Sequence, residues 1–336
     1  MILLMIALLC ALALAAQEPT LLPAANDFAG YETATENGER VTWHLDRHAA
    51  DKAGPVILFL TGSGPAPLFQ SYEDGSVGFG VPPELLAYMD RAHVLLVDKP
   101  GVPFAAEVDW DEEKGRPVFE AGPGYAAMTR QQLVRRNAAA ARAALEVLGE
   151  QADGVVVIGS SEGGQYVFEL ARALPETTHA VAVGGLALPQ WYDMVIEARL
   201  AAERAEISRR EAQARVEALY QTMRDVAARP GSGSVWNGHD YRRWASFGPH
   251  AAVEDMLALD IPLLLIHGGA DDNAPILNTD YAMIAFLNAG RTNLTYWVYP
   301  DYDHFLTEPD PDSPGERINR TQAVYDRLWE WVQETN

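Results

Sequence analysis

The segment from residue 155 to residue 174 restricts the possible folds of this chain more than any other. An apolar run at 155–158 leads directly into Gly159-Ser160-Ser161-Glu162-Gly163-Gly164, and an amphipathic stretch at 165–174 follows. Apolar run, glycine-flanked serine and helix, in that order, predict a strand–turn–helix unit with Ser161 at its apex, the arrangement of a nucleophile elbow. Such a turn is too sharp for bulky neighbours, so glycines two places before and after the serine remove the side chains that would clash. The helix N-terminus behind Ser161 supplies partial positive charge and free N–H groups where an oxyanion would form. A glycine-rich turn with a bystander serine has the same spacing, and the flanking strand and helix favour the nucleophile.

The rest of the chain repeats this alternation. Short runs at 56–60 and 93–97 are apolar throughout, as strands of a parallel sheet covered on both faces should be. Residues 31–36 and 40–46 flank Asn37-Gly38, a hairpin signal. Helices are expected at 84–91 and at 129–148, the latter closed by Gly149, with an irregular acidic loop at 110–125 between them. Strands at 179–183, 262–267 and 294–299 and helices at 276–288 and 320–332 complete the pattern. Residues 189–250 interrupt it. Positions 191–229 read as helical, but Ser208-Arg209-Arg210-Glu211 is a capping box that predicts two helices meeting near Ser208. Glu206/Arg210 and Glu211/Arg215 are i,i+4 pairs on the exposed side.

A nucleophilic serine needs a base, and the base needs a carboxylate that fixes its tautomer. Ligand crevices of doubly wound sheets lie beyond the carboxyl ends of the strands, so candidates should stand just after strands. Asp271 and His304 do. Asp272 is the alternative acid, and the Asp-x-x-Ala-Pro spacing favours Asp271. His267 also ends a strand and is read as satisfying a backbone group below the site. The order Ser161, Asp271, His304 is that of an α/β-hydrolase.

Over residues 28–336 the chain resembles the α/β-hydrolase family. Leu265-Ile266-His267-Gly268-Gly269-Ala270-Asp271-Asp272-Asn273-Ala274-Pro275 is similar to the family's acid-bearing segment, and Tyr299-Pro300-Asp301-Tyr302-Asp303-His304-Phe305 to its histidine loop. Leu60-Thr61-Gly62-Ser63-Gly64 stands where the family carries His-Gly before an oxyanion amide, with Thr61 in place of the histidine. Asp98-Lys99-Pro100-Gly101 replaces a usual Asp-x-Arg-Gly. The resemblance implies a mostly parallel, doubly wound sheet in two parts, 17–188 and 251–336, with a helical cap inserted at 189–250. It also implies a Ser161–His304–Asp271 triad, and an oxyanion hole from the amides of Ser63 and Glu162. No metal or organic cofactor is required. A carboxylic ester hydrolase is the leading expectation. A serine peptidase is the alternative, since Gly163-Gly164 also suits prolyl-oligopeptidase-like domains, and a catalytically silent binding module is a third. Trp191, Trp236 and Trp244 of the cap either line an apolar acyl pocket or bury the cap against the core.

Composition limits the partners. The sequence has 47 acidic against 25 basic residues and a net charge of −22, which repels nucleic acid and anionic lipid. A small ester or amide substrate is expected, and the oligomeric state is left open. Residues 1–16 are uncharged, rich in Leu, Ile, Met and Ala, and end Ala13-Leu14-Ala15-Ala16, the pattern of a cleaved signal peptide. That predicts a secreted or periplasmic protein without stable membrane association after cleavage, an uncleaved anchor being the rival. Cys10, the single cysteine, lies within this leader, so a cleaved chain has no thiol chemistry or disulfides.

Overall fold

The computed structural model describes residues 25, 27–48, 52–113 and 115–335. The expected signal peptide lies outside the described residues. Eight strands form the central sheet: β1 (Phe28–Ala34), β2 (Arg40–Asp46), β3 (Gly54–Leu60), β4 (His93–Val97), β5 (Ala152–Ser160), β6 (Thr177–Val183), β7 (Leu263–Gly268) and β8 (Leu294–Tyr299). Their spatial order is β1-β2-β4-β3-β5-β6-β7-β8. The β1–β2 and β2–β4 pairs are antiparallel, and every other pair is parallel.

Alternation along the strands explains why the inner runs are continuously apolar. Val155 and Val157 of β5 join one core, while Val156 and Ile158 join the core on the opposite face. Leu58 against Ile57 and Phe59 in β3 divides in the same way, as does Leu265 against Leu264 and Ile266 in β7. Period-two side chains of a sheet covered on both sides must be apolar at every position. The first core is closed by α1 (Arg130–Leu148) and α2 (Glu162–Ala173). The second is closed by the C-terminal helix Thr321–Glu334, through Tyr325, Leu328 and Trp331. Thr129 caps α1 with the reciprocal Gln132 bond of a full capping box.

Between β6 and β7 the chain leaves the sheet to form α3 (Gln190–Glu203), α4 (Arg209–Ala228), α5 (Tyr241–Phe247) and α6 (Ala252–Leu257), and after β7 comes α7 (Ile276–Asn288). The break between α3 and α4 falls where the sequence predicts it. Ser208 accepts from the Glu211 N–H at 3.1 Å, but the Glu211 carboxylate turns to Arg215 at 2.7 Å, so half the expected box forms. Glu206 stands 3.9 Å from Arg204 rather than pairing with Arg210, because the turn at Ala205 (φ 60°) interrupts the helical spacing. Short elements escape periodicity: residues 110–125, expected to be irregular, hold the hairpin Asp109–Asp111/Arg116–Val118 in part. Phe69–Ser71, Val77–Phe79 and Ala105–Glu107 form a small sheet of their own. Among the described residues no helix is long and apolar enough to cross a membrane.

Candidate active site

Ser161 sits between the end of β5 and the start of α2 with φ 53° and ψ −117°, a conformation that side-chain-bearing residues avoid. Two backbone bonds hold it there: its N–H donates to Val183 O at 2.8 Å, and its carbonyl accepts from Gly164 N–H at 2.9 Å. The glycine frame is required by contact. A Cβ on Gly163 would lie 2.2 Å from Leu60 O, and one on Gly159 would lie 2.4 Å from Gly163 O.

His304 reaches this serine from the loop after β8. Its Nε2 is 3.1 Å from Ser161 Oγ, and its Nδ1 is 2.7 Å from Asp271 Oδ2. A carboxylate only accepts, so the proton is on Nδ1, and Nε2 is left to accept from the serine hydroxyl. Asp271 Oδ1 accepts from the Asn273 and Ala274 N–H groups at 2.9 and 2.7 Å. Burial would raise the Asp271 carboxyl, but hydrogen bonds from His267, His304 and the Ala274 amide outweigh it and hold it well below the usual carboxylate range. Asp272 is exposed and faces the cap instead. His267 is fully buried, with Nε2 2.7 Å from Ala274 O and Nδ1 3.1 Å from Thr279 Oγ1. The expected backbone partner is therefore there, and so is an unforeseen 3.4 Å approach to Asp271 Oδ2.

Residues 218–335 match the model of the prolyl oligopeptidase family, a stretch that holds Asp271 and His304 and begins after Ser161. A probable dipeptidyl-aminopeptidase B of Talaromyces marneffei is 35% identical over 85 residues, which are 25% of this chain and 8% of that protein. The chain thus spans less than a tenth of the length of the curated relatives it matches. Solved structures are similar over 92% of the chain. An esterase of Pyrococcus furiosus gives a TM-score of 0.52 at 12% identity over 90% of its own chain. An acylaminoacyl peptidase of Pyrococcus horikoshii gives 0.57 at 11% over 42%, and dipeptidyl peptidase 4 of Porphyromonas gingivalis 0.54 at 15% over 35%. The chain has the α/β-hydrolase fold.

The two residues expected to supply oxyanion amides, Ser63 and Glu162, both lie beside Ser161. Glu162 is the first residue of α2, so its N–H has no carbonyl one turn back within the helix. Ser63 lines the cavity that holds Ser161 and His304. The loop carrying Ser63 is held by Lys99, whose ammonium is buried and donates to Gly62 O. Described peptides are all trans, so fixing the Gly62 carbonyl on one side directs the Ser63 N–H to the other. Burial, with Arg243 nearby, lowers the Lys99 ammonium to about 7. The Glu162 carboxylate is buried beside Arg243 of α5, which also lies over the Phe247 ring at 4.5 Å.

Two cavities meet at Ser63 and Asn273. One, of about 570 Å³, contains Ser161 and His304 and has Phe79, Val81, Leu306 and Tyr325 in its walls. The other, of about 600 Å³, lies under the cap, with Glu162, Asp193, Glu197, Arg243, Trp236 and Trp244 around it. The sequence left two roles open for the cap tryptophans, an apolar pocket or burial of the cap. Trp236 and Trp244 do line a cavity, but it is rich in charge, and the more apolar walls belong to the cavity on the other side of Ser63. Trp191 lines neither: it is buried, stacked on Trp244 at 5.0 Å and packed so closely on Gly248 that a Cβ there would lie 2.1 Å from its ring.

Lys99 and Arg243 support the site and were missed by sequence reasoning. The signal for Lys99 was the altered Asp98-Lys99-Pro100-Gly101 segment; Arg243 had none. Among the described residues one further group of metal-ligating side chains converges, Glu169, His250 and Asp255, and Arg130 and Arg172 already neutralise its carboxylates.

Proposed function

We propose that this protein is a serine hydrolase acting on carboxylic esters or amides through Ser161, His304 and Asp271. The observation that carries the reading is the continuous chain from Ser161 Oγ through His304 to Asp271 Oδ2, at 3.1 and 2.7 Å. Ser161 Oγ attacks the carbonyl carbon while its proton passes to His304 Nε2. The ionised Asp271 holds the ring and stabilises the imidazolium. The proton then leaves with the alcohol or amine. A water molecule, activated by the same imidazole, splits the acyl-enzyme and restores the serine. The amides of Ser63 and Glu162 take the oxyanion, each contributing about 3 kcal/mol.

The sequence-based expectation is a carboxylic ester hydrolase. The match of residues 218–335 to the prolyl oligopeptidase family supports a second reading of equal weight, a serine peptidase. A fluorophosphonate probe should label the protein at Ser161 and fail to label Ser161→Ala; labelling that persists in the variant rejects the assignment. Rates on matched esters and nitroanilides decide between the two readings.

A further inference from the structure

We propose that Lys99 is a positioning residue of the oxyanion hole, its buried ammonium holding the peptide between Gly62 and Ser63 and strengthening the Ser63 N–H as a donor. This deepens the serine-hydrolase reading and rests on it, because the Ser63 amide is one of the two groups proposed there to take the oxyanion.

The peptide concerned lies against the nucleophile. A Cβ built on Gly62 would stand 3.2 Å from Ser161 Cβ and 3.7 Å from Ser161 Oγ. Gly62 O and Ser63 N–H are the two ends of one trans peptide group. Lys99 donates to the carbonyl end. A positive charge there draws electron density off the nitrogen, so hydrogen bonds at the two ends of a peptide reinforce each other. The reinforcement grows as the substrate's carbonyl oxygen becomes an oxyanion, so it favours the transition state over the bound substrate.

The charges around Lys99 explain why an ammonium is buried there. Buried cations are ordinarily paired with a carboxylate, and the nearby acids are engaged elsewhere. Asp98, its neighbour in sequence, is turned to His44 at 3.1 Å, and Glu162 is held by Arg243. Burial and Arg243 both lower the Lys99 ammonium, and no carboxylate raises it. Burial also lowers His239 and keeps it neutral. Lys99, Arg243 and Glu162 together therefore carry one net positive charge. Packing alone favours an apolar side chain at this position, because burying an unpaired charge costs stability. An oxyanion at the Ser63 and Glu162 amides provides the negative charge that this cluster lacks.

Lys99→Met tests this, because it keeps a long apolar stem and removes both the charge and the donor. At pH 6.5 kcat on p-nitrophenyl acetate should fall about tenfold or more, with KM within about twofold; losing a whole oxyanion donor typically costs about 10²–10³-fold. A trifluoromethyl ketone, whose carbonyl oxygen becomes an oxyanion when Ser161 adds to it, should lose affinity by the same factor. The pH profile isolates the charge. Wild-type kcat/KM should rise as His304 loses its proton and fall again as Lys99 loses its own, and the fall should be absent in Lys99→Met. The other groups facing Lys99 do not produce that fall: burial takes His239 below its ordinary value, lowers Arg243 only to about 10, and raises Tyr125. An unchanged kcat in Lys99→Met, a loss of kcat that the ketone's affinity does not follow, or an alkaline fall that persists in the variant overturns the inference. The serine-hydrolase reading fails differently, with no turnover of any ester or anilide and no labelling of Ser161, and that outcome rejects the role of Lys99 with it.

Discussion

Arg243 of α5 and Glu162, the residue after the nucleophile, form an ion pair with both side chains more than nine-tenths buried. The pair ties α5 to the first turn of α2, whose Glu162 amide is the one proposed to take the oxyanion. Removing one member strands a buried charge, a change that typically costs about 3–5 kcal/mol. Arg243→Ala should therefore lower denaturant stability by about that amount, and kcat should fall with it. Glu162→Gln combined with Arg243→Met should recover much of the stability in chemical denaturation. Equal losses in the single and double variants would mean that the pair's charge is not what matters.

Asp271 and Asp272 are adjacent in sequence and opposite in role. Asp271→Asn presents an amide where His304 needs an acceptor for Nδ1–H, and the wrong tautomer should lower kcat by about 10⁴-fold. Asp272→Asn should remain within a few-fold, being exposed and outside the His304 network. Steady-state kinetics on one activated ester checks both, and a larger loss at Asp272 would reassign the acid.

What the sequence made legible follows from how local each signal is. The elbow, the acid segment and the histidine loop are each a strand followed by a few residues, so the order of motifs alone singles out Ser161, Asp271 and His304. The supports of those residues are not local. Lys99 bonds a carbonyl 37 positions away, and Arg243 pairs across 81 positions, distances at which spacing carries no information. Aromatic residues can be counted in a cap, but which ring faces a cavity depends on helix rotation: Trp191 turned into the cap core while Trp236 and Trp244 reached the cavity wall. Two- and three-residue strands such as Val77–Phe79 are too short to show a period.

Lys99 should make stability depend on pH in a predictable direction. Its folded-state value is lowered by burial to about 7, against about 10.4 for an unfolded lysine. Below pH 7 both states are protonated, and the folded state carries the full cost of a buried charge. Between about 7 and 10 the unfolded chain binds the extra proton, so this group's contribution improves as pH rises. Lys99→Met should therefore gain most over the wild type in melting temperature at pH 6, with the gain shrinking by pH 10. A difference that stays flat across that range would mean a solvated lysine with an unshifted pKa at this position.

Trp191 is a packing residue, and the selectivity expected of it should be absent. Trp191→Ala removes a buried indole stacked on Trp244 and should cost about 3–5 kcal/mol, or unfold the cap. In whatever folded enzyme remains, the ratio of kcat/KM between long and short acyl esters should match the wild type. A changed ratio with little loss of stability would return Trp191 to the substrate's path.

Chain-length preference should instead answer to the cavity that holds Ser161. Phe79 stands in its wall beside Val81, partly exposed to the interior and packed edge-on to Phe69 at 6.0 Å. Phe79→Ala enlarges this space, and each methylene of substrate that gains apolar contact there is worth up to about 0.8 kcal/mol, or roughly fourfold in kcat/KM. p-Nitrophenyl octanoate should therefore rise against p-nitrophenyl acetate in Phe79→Ala and fall in Phe79→Trp. Opposite shifts from one position separate a contact with the acyl chain from a general loss of packing, which would depress both esters together. If neither variant moves the octanoate-to-acetate ratio, the acyl chain does not occupy this cavity.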